Sequence, residues 1–255
     1  TDSSYYFYNG AAWVKWSSGG SGSTNFWGKQ GNAGTDPTTD FAGTTDNVPF
    51  YVRVNNDTIA KFGTQENVSF GKSSKANGVV SFALGLSQAN GDGSMAMGST
   101  LSNGSSSASF GGGFTSANGD QSFASGNGTF ANGINSASFG QDNSVYGNNS
   151  LVLGLLNVTK SKNALLIGRN SDTTGIADND TSYLFRVGNG YISDDYVDIG
   201  PPSNILTVGY NGLLIGSHTS QLPDSTLHVV GGVAMPNLYE SSDVTDSMVV
   251  KNADG

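Results

Sequence analysis

Glycine returns about every fourteen residues through the middle of this chain, and no other feature limits the fold so strongly. Short apolar segments close on Gly71, Gly85, Gly98, Gly111, Gly126, Gly140, Gly154 and Gly168, at steps of 14, 13, 13, 15, 14, 14 and 14. A second glycine marks the half period at Gly78, Gly91, Gly104, Gly119, Gly133 and Gly147, usually after Ala-Asn or Ser-Asn, and is lost beyond Gly147. Asn and Gly accept positive φ at low cost, so each unit reads as two short strands and two tight turns. A half period of seven also suits a heptad coiled coil, but glycine at every seventh place and the shortage of Leu, Glu and Lys exclude that.

Within a unit, Val80, Phe82 and Leu84 alternate with Ser81 and Ala83, the two-residue period of a pleated strand. The sequence therefore predicts an all-β solenoid of ~14-residue coils, flanked by small β-rich segments. At the usual inter-sheet spacing of roughly 10 Å, such a coil encloses almost no volume of its own. The bulky row Phe70, Phe82, Leu84, Met97, Phe110, Phe123, Phe139, Leu153 and Ile167 is then expected to be covered by other copies of the chain.

Composition agrees with a repeat protein and excludes several functions. Gly, Ser and Asn supply 37, 36 and 26 of the 255 residues, charged residues are only 12%, and 13 Phe, 10 Tyr and 3 Trp argue against simple disorder. The net charge of −9 speaks against nucleic acid as a partner. With no Cys, two His and two Glu, acid–base chemistry would fall almost wholly on Asp. A polysaccharide-cleaving solenoid needs paired carboxylates, and from Ala76 to Thr159 the only charges are Asp92, Asp120 and Asp142. Neither an enzyme nor a cofactor site is expected.

At these residues the repeat resembles the head repeat of trimeric autotransporter adhesins, in which a Ser-x-Ala-Ile-Gly segment and an Ala-x-Gly half-turn recur. The resemblance implies a left-handed parallel β-roll, trimerised about a central axis. The flanks shift the reading. Trp27 to Pro37, Phe41 to Asn47 and the strand Phe50 to Val54 look like a segment of bacteriophage tail-fibre proteins, especially those linked to Bacteroidetes. Leu213 to Gly216, Pro223 and Leu227 to Gly231 are similar to the stretch that precedes a C-terminal intramolecular chaperone in such fibres. These likenesses imply a homotrimeric fibre segment of a phage tail that mediates host-surface adhesion. Its partners would be itself, other virion proteins and a host glycan or protein receptor. A trimeric adhesin on a bacterial surface is the alternative.

The chain divides by composition into an aromatic hairpin knob and Gly/Ser linker (1–23), a β-rich connector (24–66), the roll (67–170), a β-prism-like segment (171–231) and a connector (232–255). Thr1 and the closing Asn252 to Gly255 suggest a piece of something longer. Asn9-Gly10 between Tyr5–Tyr8 and Trp13–Trp16 predicts a hairpin. Its Tyr8, Trp13 and Trp16 are candidate receptor contacts, with packing between hairpins as the plainer role. Asp178 to Asp180 and Asp194-Asp195 lack the spacing of a calcium loop. His218 and His228 have no partner ligands at metal spacing.

Overall fold

The computed structural model describes residues 5–16, 33–171, 181, 183–190, 201–209, 212–218 and 227–229. The linker 17–23, Trp27 to Asn32, Asp178 to Asp180, Tyr191-Ile192, Asp194-Asp195, Val197 to Ile199, Pro223 and the connector 232–255 lie outside those residues. The chain forms two compact units, residues 1–47 and 48–255.

In the first unit β1 (Tyr5–Tyr8) and β2 (Trp13–Trp16) pair antiparallel. The loop is Asn9 to Ala12, and the Asn9 carboxamide oxygen accepts from the backbone N–H groups of Ala11 and Ala12 at 3.0 and 2.9 Å. Asn9 thus ties the turn from within, as Asx side chains do. Further on, the hydroxyl and backbone N–H of Thr38 both donate to the Asp36 carboxylate and hold its pKa below the ordinary aspartate value.

The second unit is all β, and no helix occurs among the described residues. It begins with a hairpin, β3 (Phe50–Val54) and β4 (Asp57–Phe62), turning through Asn55 and Asn56 at φ 49° and 64°. β4 pairs antiparallel with β5 (Val68–Phe70), which covers the open edge of the repeat. Every contact between successive coils is parallel from there on. One sheet stacks β5, β7 (Phe82–Gly85), β9 (Met95–Ser102), β10 (Ala108–Ala117), β11 (Phe123–Asn127), β13 (Ala137–Gln141), β15 (Leu151–Leu155) and β17 (Leu165–Arg169). A narrower sheet stacks β6 (Lys75–Ala76), β8 (Gln88–Ala89), the ends of β9 and β10, β12 (Phe130–Ala131), β14 (Ser144–Val145) and β16 (Val158–Thr159). The result is a β-solenoid of about 7 turns. β18 (Tyr183–Asn189) continues the wide sheet in parallel with β17, and β19 (Asn204–Gly209), β20 (Gly212–His218) and β21 (Leu227–Val229) follow it.

Between the sheets lies a core one small side chain thick. Ala83, Ala96, Ala124 and Val152 of the wide sheet meet Ala89, Ala117, Ala131 and Val145 of the narrow one, all at 0% exposure. Nine of the fourteen buried apolar residues among those described are alanine. Coils approach so closely because glycine leaves room: a Cβ on Gly126 (φ +139°) would overlap the carbonyl oxygen of Gly140 in the next coil. At the half-turn a Cβ on Gly104 would overlap the carbonyl oxygen of Gly119. In the coil after Gly147 this place is taken by Ser161.

Asn143, inside a corner, spends its side chain on the backbone. The Asn143 amide donates to the carbonyls of Phe139 and Gly154 at 2.7 and 2.6 Å, and its oxygen accepts from the Asn157 N–H at 2.9 Å. Outside, Asn77, Asn90, Asn103, Asn118 and Asn132 form a ladder of amide-to-amide bonds of 2.6–2.7 Å. Val80 does not share the strand with Phe82 and Leu84; it sits in a corner at φ 54°, where each coil turns.

Candidate interaction surface

The strands that bury alanine inward carry their bulk outward, in two columns set by distance to the closing glycine. One residue before it stand Phe70, Leu84, Met97, Phe110, Ser125, Phe139, Leu153 and Ile167. Three residues before it stand Val68, Phe82, Met95, Ala108, Phe123, Ala137, Leu151 and Leu165. The nine residues singled out in the sequence thus share one face but not one column. Phe82 and Phe123 belong to the second, and Phe123 leans into the gap over Ser125, with ring centroids 5.4 Å from Phe110 and 5.1 Å from Phe139.

None of the nine is buried in the single chain: Met97, Phe110, Phe123, Phe82 and Ile167 are half-buried, and Phe70, Leu84, Phe139 and Leu153 are exposed at 36–38%. The face extends past the repeat. Phe50 and Phe62 of the hairpin join Phe70 and Phe82 in a ring series with centroid separations of 5.9, 5.9 and 6.0 Å. The fourteen-residue period gives no signal for these two, because they enter by antiparallel pairing. No charged side chain interrupts the two columns from Val68 to Ile167.

On the hairpin of the first unit, Trp13 is 71% and Tyr8 56% exposed, their ring centroids 5.6 Å apart. Trp16 ends β2, and its side chain lies outside the described residues. The roll's aspartates are turn elements. Asp92 accepts from the Val79 N–H and Asp120 from the Ser105 N–H, each at 2.9 Å. Asn148 does the same for Ile134, so a staple across two coils recurs every 28 residues. His218 and His228 fall in β20 and β21.

The family model described as the YadA head domain repeat matches in two copies, at residues 86–100 and 131–155. The roll carries an adhesin-type head repeat. No curated protein and no solved structure matches the chain. The head repeat copies fall on coils whose closing strands are Met95 to Gly98, Ala137 to Gly140 and Leu151 to Gly154. Between the copies lies the one coil of fifteen residues. There β10 bulges between Gly111 and Thr115 and turns Phe114 outward, 81% exposed.

Proposed function

We propose that the chain is a segment of a homotrimeric surface fibre, with the outward face of the wide sheet packed about the threefold axis and the assembly mediating attachment to a host surface. One observation carries this reading: the bulk of the repeat lies on the outside. An interior of alanine gains about 0.8 kcal/mol per buried methyl, whereas covering a Leu or Phe gains about 1.5–3 kcal/mol. The exposed members of the outer columns keep 36–39% of their surface open in the single chain, so covering the columns adds the remaining share of that gain along the whole roll. Identical chains supply matching rows at matching spacing. The adhesin-type head repeat supports the same assembly and an extracellular, structural rather than catalytic role, as do aspartates committed to turns. Stiffness then comes from packed rows, and binding strength from several copies acting together.

Two bearers fit. A phage tail is favoured by the flanking segments from Trp27 to Val54 and from Leu213 to Gly231, and a bacterial cell surface by the head repeat. In either, the Trp13 hairpin is a packing knob or a receptor contact. Phe82→Asp and Phe139→Asp place three carboxylates near one axis and are expected to abolish the trimer in light scattering. A soluble trimer of either variant overturns the proposed axis.

A further inference from the structure

The roll departs from its period at one place, and the departure builds a notch. Two successive coils are short by a residue, so a single residue, Leu86 or Ser99, joins the closing glycine to the buried Ser87 or Thr100. The next coil is long by one, and Gly112, Gly113 and Phe114 occupy the same corner. The short corners recede and the long one projects over them. Leu86, Gln88, Ser99, Thr100, Leu101 and Phe114 line the resulting space, about 180 Å³. That is below the roughly 300–1,000 Å³ of ordinary small-molecule pockets; it admits one ring.

The lining has a definite chemistry. Leu86 and Phe114 are 68% and 81% exposed, an apolar floor and an aromatic plate open to solvent. The Gln88 carboxamide and the Ser99 hydroxyl make no hydrogen bond to a described residue. The asparagine amides of the ladder, in contrast, are joined from coil to coil. No charged side chain lines the notch, and Lys75 is the register partner of Gln88 in the coil before. An aromatic plate beside an uncommitted amide and hydroxyl, with no charge in the lining itself, matches a ring with an apolar C–H face and hydroxyl edges.

We infer that this notch is a binding subsite for a single neutral pyranose residue of a surface glycan. The inference deepens the fibre reading by naming a ligand class, and rests on it for the multivalency that makes a weak site useful. The test is saturation-transfer NMR on the whole chain with the methyl pyranosides of glucose, galactose and mannose, and with a sialoside as anionic control. At least one neutral glycoside is expected to bind with Kd on the order of 1 mM, weakened about tenfold by Phe114→Ala. Gln88→Ala is expected to weaken it as well, the sedimenting mass staying unchanged in both variants. Absence of neutral binding by a chain that sediments as a trimer overturns the subsite and leaves the fibre reading standing. Equal binding of the sialoside, or binding indifferent to both substitutions, also overturns it. A loss of trimer in Phe114→Ala makes the notch a contact between copies and overturns it too. A wild-type chain that does not assemble sinks the fibre reading instead.

Discussion

The inside and the outside of the roll are made by neighbouring residues of the same strands, yet they obey opposite rules. Inward, Ala124 and Ala96 are sealed at 0% exposure, and the buried apolar side chains between the sheets are mostly alanine, with valine and leucine at Val145, Val152 and Leu166. Outward, Phe123 beside Ala124 and Met97 beside Ala96 carry large side chains that the single chain leaves half-covered. The interior thus specifies shape: it holds coils at a spacing that the glycines at the turns make possible. The exterior holds the large side chains whose burial the single chain leaves incomplete. A chain divided in this way has a defined form and an unfilled surface, which is the physical basis for assembly.

The sharpest way to break the contrast is to enlarge the inside. Gly126→Val drives a side chain into the Gly140 carbonyl at a left-handed φ and is expected to cost on the order of 4 kcal/mol or more, seen as loss of the strand signal in circular dichroism. A milder pair sets neighbours against each other. Ala124→Leu overpacks the core and should lower the unfolding midpoint by an amount equivalent to about 1–3 kcal/mol. Phe123→Ala should keep the dichroism spectrum and instead raise the concentration at which the oligomer dissociates. If both variants act on folding alone, the division between form and assembly is wrong. Asn103→Ala removes two bonds of the exterior ladder, one to Asn90 and one to Asn118, and should cost about 1–2 kcal/mol in denaturant unfolding. Trp13→Ala, outside both classes, is expected to leave the sedimenting mass unchanged; loss of cell binding by that intact oligomer would assign the hairpin a receptor role.

Much of this was legible in the chain itself because glycine is a ruler. Its spacing set the coil length, the solenoid and the strands, and Asn9-Gly10 set the hairpin. The head repeat likewise rested on residues that recur. Distance to the closing glycine also separates the two outer columns, since Phe110 stands one residue before Gly111 and Phe123 three before Gly126, whereas a single row merges them. Other features had no periodic mark. Phe50 and Phe62 join the face through an antiparallel hairpin. Val80 has the preference of a strand residue, but the coil needs a left-handed corner there and overrides it. The staple of Asp92, Asp120 and Asn148 repeats at twice the coil length, and its members differ in charge, so it was hidden beneath the shorter period.

The central claim is that the outer columns are completed by identical chains. Sedimentation equilibrium of the wild-type chain, diluted stepwise into the nanomolar range with dichroism recorded on the same samples, tests it most directly. Three chains per particle wherever the strand spectrum persists, with mass and spectrum lost together, is the predicted result. A single chain that keeps its spectrum at every dilution contradicts it.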